Sequence, residues 1–150
     1  ISCLLDVFHR RILVDRNCLF CKIIAGLIPS AKVFEDENVY AFLDLYPIEK
    51  GHTLVIPKLH YETFFDLPNA LIAPLFSAAK VIALAQQKTL GASGFNLLQN
   101  NGVDAGQEIH HFHLHVIPRF ENKNQINWKS KGPADSKEIF NLAEKIKVEL

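Results

Sequence analysis

Apolar positions along the chain recur with two different periods. Lys32-Val33-Phe34-Glu35 and Val39 to Asp44 are short β-prone runs separated by polar turn formers, and they predict a hairpin. His52 to Pro57 predicts the next strand, and Gly94-Phe95-Asn96-Leu97-Leu98-Gln99 another. Between about Ala70 and Lys88 the period lengthens. Ile72, Leu75, Phe76, Ala79, Ile82 and Ala83 recur at helical spacing and predict the longest helix, one face of which covers a sheet. Pro74 is tolerable only near its first turn. A short helix is expected near Cys18 with Asn17 as its cap. A C-terminal helix is expected from Asp135-Ser136 to Leu150, with Phe140, Leu142, Ala143, Ile146 and Val148 as apolar positions. An antiparallel sheet with helices on one side is an α+β architecture.

The sharpest pattern is His111-Phe112-His113-Leu114-His115-Val116-Ile117. Strict alternation reads as a half-buried strand, with residues i, i+2 and i+4 on one face. Three imidazoles then point one way, roughly 6.6 Å apart per step, and Phe112, Leu114 and Val116 point into a core. Four uses compete: incidental surface histidines, a metal site, an array for nucleophilic or acid–base work, and anion binding by protonated rings. The preceding stretch from Asn100 to Gln107 is dense in turn formers, and its amides and glycine-flanked N–H groups suit phosphate oxygens. Loop and histidines together resemble a phosphate pocket holding a nucleophile.

Composition narrows the setting. The 150 residues suit one domain, 49% apolar content supplies a core, and no stretch is expected to reach the length of a membrane span. Sixteen basic and sixteen acidic residues leave no broad field to recruit nucleic acid. The three cysteines, Cys3, Cys18 and Cys21, are an odd count that argues against a disulfide framework. Cys18-Leu19-Phe20-Cys21 is half of a zinc site by spacing; a redox pair and two simply buried thiols are the other readings. Residues 1–17 are too broken by charge for a secretory signal and are expected to be an extension of unassigned role.

His-x-His-x-His with two apolar residues after a Gly-Gln loop resembles the histidine triad (HIT) family of nucleotide hydrolases and transferases. The resemblance extends to Cys18–Gly26 with Ile28-Pro29-Ser30, to Val39–Asp44, to Gly51–Lys58 and to His115-Val116-Ile117-Pro118-Arg119, so it covers residues 18–120. It implies an α+β, HIT-like antiparallel sheet of about five strands with a long central helix and a C-terminal helix. Residues 18–150 would form one domain, with 121–150 as tail and helix. It implies a cytoplasmic homodimer that acts on a purine nucleotide or nucleotide conjugate, with no nucleic acid or membrane partner.

What the resemblance implies for single residues is specific. His113 would attack the α-phosphorus and form a covalent nucleotidyl-histidine, with His111 and His115 as its catalytic neighbours. His115, Asn100 and Gln107 would hold phosphate or leaving-group oxygens, and Asp44 the ribose hydroxyls. Leu19, Phe20, Ile23, Ile28, Phe42, Leu43 and Leu45 would line the purine pocket. Cys18, Cys21, His60 and His111 would hold a structural zinc, with no cofactor required for the chemistry. A metal-dependent hydrolase built on all three triad histidines is the rival, and it needs an open coordination position. The expected reaction is cleavage of a purine nucleoside 5′-phosphoramidate or related conjugate. Diadenosine polyphosphate hydrolysis and a non-catalytic nucleotide-binding module are the alternatives. The sequence departs from the family pattern at Glu108, where relatives carry a small hydroxyl residue. His110 falls on the face opposite the triad and is not a fourth member.

Overall fold

The computed structural model describes residues 15–121 and 126–150; the expected extension, Cys3 included, lies outside the described residues except for residues 15–17. Strands β1 (Lys32–Glu35), β2 (Val39–Leu43), β3 (Thr53–Pro57), β4 (Gly94–Gln99) and β5 (Leu114–Arg119) form one five-stranded sheet in the order β1-β2-β3-β5-β4. Every neighbouring pair is antiparallel. Among the described residues three α-helices accompany it: α1 (Leu19–Ile24), α2 (Ile72–Leu90) and α3 (Ser136–Val148). This is the expected α+β architecture.

The sheet is covered on two faces, not on one side as expected. Val33, Val39, Ala41, Leu43, Val55, Leu114 and Val116 pack against α2 and α3. On the opposite face Tyr40, Phe42, Leu54 and Ile56 pack against Phe20, Cys21 and Ile23 of α1. Strands β2 and β3 are therefore buried along their whole length, which is why they read as nearly continuous apolar runs. Helix α1 has only six residues and shields only part of its face, leaving room beside it for a site.

Helix α2 begins after a short 3-10 turn at Asn69–Leu71 and ends on Gly91 in the left-handed conformation. Pro74 sits in its first turn, where its missing N–H has no intrahelical partner to lose. Its inward face is Leu75, Ala78, Ala79, Ile82, Ala85 and Gln86. Ile72 and Phe76, expected on that face, are exposed. The helical stretch Asn69–Leu90 is 22 residues long and contains an 18-residue window of mean hydropathy 1.4, so a stretch of membrane-crossing length and composition is present, contrary to expectation. In the fold its inner face covers the sheet.

Three boundaries also differ from the sequence reading. Cys18, not Asn17, caps α1, its Sγ accepting from the Cys21 N–H at 3.5 Å. Helix α3 begins where expected, capped by Asp135, which accepts from the Glu138 N–H, but ends at Val148 and not Leu150, and it buries Ile139, Ala143 and Ile146 while Phe140 and Val148 stay exposed. Strand β5 begins at Leu114, so His111 and His113 precede the ladder. Pairing with both neighbours stops there, at Val55↔Leu114 and Gln99↔Leu114. The Phe112 N–H turns instead to the Tyr61 carbonyl at 2.6 Å. The alternation survives this change: Phe112, Leu114 and Val116 lie in the helix-side core.

Candidate active site

His113 lies almost wholly buried between two aromatic neighbours. Its ring stands perpendicular to Phe20 at 5.2 Å and packs against His115 at 4.9 Å, centroid to centroid. Its Nδ1–H donates to the His111 carbonyl at 2.7 Å. That bond places the proton on Nδ1 and leaves the Nε2 lone pair free of protein partners among the described residues. Burial lowers its pKa, opposed by the His111 bond and by the fields of Asp44 and Glu108. A neutral imidazole with a fixed tautomer and an unengaged nitrogen is the state a nucleophile requires.

His115 is oriented by a residue that sequence reading passed over as plain strand. His52 Nε2 lies 2.9 Å from His115 Nδ1. The Ile48 backbone N–H donates to His52 Nδ1 at 3.0 Å, so that nitrogen carries no proton. His52 therefore holds its proton on Nε2 and donates it to His115 Nδ1. His115 in turn carries its own proton on Nε2, as a donor with no protein partner among the described residues. Burial pushes both rings down, His52 to about 4 and His115 to about 3, so both are neutral near pH 7. Asp44 Oδ2 approaches His52 Nε2 at 3.7 Å, and its Oδ1 accepts from the Tyr46 N–H. Asp44, His52 and His115 come close enough to suggest a metal group. Binding there through His52 Nε2 would move its proton to Nδ1, against the Ile48 N–H, so the donor set does not suit a cation.

The loop between β4 and the triad is held by its own hydrogen bonds. Gln107 is buried; its Oε1 accepts from the Gly102 N–H at 2.8 Å, and its Nε2 donates to the carbonyls of Glu62 (2.6 Å) and Ile109 (3.1 Å). Gly102 holds φ +90°, a conformation glycine adopts at no steric cost. Asn101 Oδ1 accepts from the Phe64 N–H at 2.8 Å, tying the loop to the segment after β3. Asn100 is half-buried, and its side chain takes no protein hydrogen bond among the described residues. Glu108 and His110 are exposed.

Of the expected purine-pocket residues, Phe20, Ile23 and Phe42 share the α1-side cluster, and Ile28 packs at its edge. Leu19 and Leu45 are exposed. Leu43 does not join them. Strand alternation turns it to the helix-side core, where it is 1% exposed. Asp44 and His52 also border a cavity of about 580 Å³, closed by tail residues 131–135. That tail is pinned by Lys131 N–H to the Pro47 carbonyl and Ala134 N–H to the Leu45 carbonyl.

Cys18, Cys21, His60 and His111 converge although they come from three separate segments, and they could hold a metal. His111 Nδ1 lies 3.4 Å from Cys18 Sγ, 3.7 Å from Cys21 Sγ and 3.2 Å from His60 Nδ1; Cys21 Sγ lies 3.5 Å from His60 Nδ1. A tetrahedral ion with metal–sulfur about 2.3 Å and metal–nitrogen about 2.0 Å has S···N edges near 3.5 Å and an N···N edge near 3.3 Å. The observed edges fit. His111 Nε2 lies 2.9 Å from the Pro57 carbonyl and donates to it, which leaves the Nδ1 lone pair aimed at the cluster. Burial pushes His111 down to about 4 and Cys21 up to about 11, and a bound cation would reverse the latter. His111 Nε2 is thus engaged by the Pro57 carbonyl, its Nδ1 faces the cluster, and its carbonyl orients His113.

Comparison with known proteins agrees with this geometry. The profile of the HIT domain family matches residues 25–122, and the chain belongs to that family. It is 53% identical over 104 residues to "Protein hit" of Bacillus subtilis, covering 69% of this chain and 72% of that one. It is 41% identical over 113 residues to adenosine 5′-monophosphoramidase HNT1 of Saccharomyces cerevisiae, covering 75% of this chain and 69% of that one. A zinc-bound histidine triad protein from Mycobacterium smegmatis superposes with a TM-score of 0.79 at 34% identity, covering 89% of this chain and 92% of that one. The protein is a hydrolase of the HIT family.

Proposed function

We propose that this hydrolase cleaves purine nucleoside 5′-phosphoramidates and related nucleotide conjugates at the α-phosphate, releasing the nucleoside monophosphate. The observation that carries this reading is the pair of complementary tautomers. His113 offers a free Nε2 lone pair, and His115 offers a free Nε2–H beside it. In the proposed reaction His113 Nε2 attacks phosphorus as the bond to the leaving nitrogen breaks. The leaving nitrogen, held by the His115 Nε2–H, takes a proton from solvent as the P–N bond breaks and departs as the amine. Water then bonds to phosphorus, the P–His113 bond breaks, and the water's proton passes to solvent, while His115 keeps its own proton as a hydrogen-bond donor. The His111 carbonyl stabilises the charged nucleotidyl-imidazolium through Nδ1–H.

Asn100 and loop N–H groups would hold phosphate oxygens, with Gln107 keeping the loop in shape and meeting phosphate only at the expense of its bond to Glu62. Asp44 would hold the ribose, with Leu19, Phe20, Ile23, Ile28, Phe42 and Leu45 around the base. Bound zinc would serve as a closed cross-link through Cys18, Cys21, His60 and His111, with no position for water. The free buried thiols of Cys18 and Cys21 suit a reducing compartment and so support the cytoplasmic expectation. A homodimer is supported by the exposed apolar edge of α2 and β4, where Phe76 and Leu97 border a groove of about 590 Å³.

The test is AMP release from adenosine 5′-phosphoramidate, wild type beside His113→Ala, with a chelator in parallel. Release lost in the variant and indifferent to brief chelation is expected. Tight nucleotide binding without release would favour the binding module. Release abolished by metal removal from a protein that stays folded would favour a metal-bound nucleophile.

A further inference from the structure

The tail residues from Lys131 to Ala134 lie beyond the segment that the family profile matches, and the proposed mechanism gives them no part. They close on the loop from Asp44 to His52, which joins β2 to β3. One set of bonds folds that loop around His52. The Asp44 N–H donates to the His52 carbonyl at 2.8 Å, the His52 N–H to the Glu49 carbonyl at 3.0 Å, and the Ile48 N–H to His52 Nδ1 at 3.0 Å. A second set ties the same loop to the tail. The Ala134 N–H donates to the Leu45 carbonyl at 2.7 Å, the Lys131 N–H to the Pro47 carbonyl at 2.9 Å, and Lys131 Nζ to Glu49 Oε1 at 2.6 Å. The tail thus holds every second residue of the loop from Leu45 to Glu49.

The two sets share one peptide unit. The Pro47 carbonyl and the Ile48 N–H belong to the same planar trans amide and point in opposite directions. The tail grips its oxygen, and His52 grips its hydrogen. Turning this amide over would present the Pro47 carbonyl to His52 Nδ1 and draw the proton to that nitrogen. His52 Nε2 would then accept from His115 Nδ1–H, and His115 Nε2 would face the leaving group as a lone pair instead of a donor. The same flip would remove the acceptor of the Lys131 N–H, so the tail opposes it. We infer that Lys131, through its backbone N–H, is a positioning residue for the reaction: it locks the Pro47–Ile48 amide and so keeps the His52–His115 relay in its donor state. This rests on the proposed mechanism, in which His115 donates to the leaving nitrogen. The Lys131–Glu49 ion pair is the lesser hold, because the lysine end is 56% exposed and surface pairs are weak.

The experiment compares Lys131→Pro, which removes the N–H, with Lys131→Ala, which removes only the ammonium. Gly132→Ala displaces the tail by a second route. Gly132 has φ +91°, and a Cβ there meets nothing within 4 Å, so the substitution adds backbone strain without a clash. Ring-nitrogen NMR shifts of His52 and His115 read the tautomers independently of activity. Steady-state kinetics on adenosine 5′-phosphoramidate read the consequence, and far-ultraviolet spectra check the fold. Wild type is expected to carry both ring protons on Nε2. Lys131→Pro is expected to populate Nδ1–H in both rings and to lower kcat about tenfold, with KM within about twofold. Gly132→Ala is expected to do the same to a smaller extent. Lys131→Ala is expected to keep the wild-type tautomers and lose less than about threefold. A folded Lys131→Pro protein with wild-type tautomers and kcat overturns the proposal, as does a wild-type His52 protonated on Nδ1. So does a Lys131→Ala protein whose tautomers shift as far as those of Lys131→Pro, since the ammonium would then be the hold. Where Lys131→Pro does not fold, the same readings on Gly132→Ala decide. If wild type cleaves no phosphoramidate, the functional reading fails separately and the tautomers alone decide the role of the tail.

Discussion

At the scale of single residues, the proposed mechanism reduces to which ring nitrogen carries a proton. Two backbone groups settle this: the His111 carbonyl for His113, and the Ile48 N–H for His52 and through it His115. His52→Ala is expected to lower kcat about 10- to 100-fold with a smaller change in KM, because it frees the His115 tautomer. His52→Gln, which retains an N–H donor, is expected to recover part of the loss; steady-state kinetics on one conjugate checks both. The depressed pKa values of His52 and His115 also make stability depend on pH. The unfolded rings protonate near 6.5 and the folded ones near 4 and 3, so between these values the unfolded state binds more protons. Their contribution is fully present above about pH 6.5 and is lost as pH falls toward 4 and 3, at about 1.4 kcal/mol per pH unit for each proton. Melting temperatures at pH 7.5, 6 and 5 are expected to fall in that order, and less steeply in His52→Gln. The triad was legible as alternation within seven residues. His52 was not, because its partner is 63 residues away and the two meet only through β3–β5 pairing, where Leu54 opposes His115 and His52 lies diagonal to it.

At the scale of elements, α1, the β3 exit and the triad segment meet at four side chains that could hold a metal, not through a ladder. Cys21→Ser is expected to lower bound zinc well below one equivalent and to lower the melting temperature, as read by elemental analysis and thermal unfolding. A variant that keeps full zinc would exclude this donor set. The turn before β3 gives a second test. Gly51 has φ +87°, and a Cβ there would fall 2.6 Å from Leu90 Cδ1 on α2. Gly51→Ala is expected to destabilise the fold by about 1–3 kcal/mol in denaturant unfolding, through backbone strain and overpacking together. Strands and helices were legible almost to their limits because periodicity is a local property. The exposed faces were less so. Ile72 and Phe76 obey the helical period of α2 yet point away from the sheet, since a period states which residues share a face and not what covers it.

At the scale of the whole molecule, the sheet divides the protein into a side covered by α2 and α3 and a side partly covered by α1, which carries the candidate site. The apolar α2–β4 edge remains open in the single chain. With Phe76→Glu and Leu97→Lys combined, sedimentation is expected to shift from dimer to monomer while the far-ultraviolet spectrum is retained; a wild type that sediments as a monomer would remove the homodimer from the proposal. The broad assignment needed no coordinates. Alternation in the triad, the turn-rich Gly-Gln loop and the Cys-x-x-Cys spacing are short-range patterns, and each is written in consecutive residues. They sufficed for fold class and family. The tautomers, the His52 relay, the convergence of Cys18, Cys21, His60 and His111 and the misplacement of Leu43 depend on contacts between distant segments. Those are set by strand register and by which face of the sheet each side chain meets, and no local window of sequence contains that information.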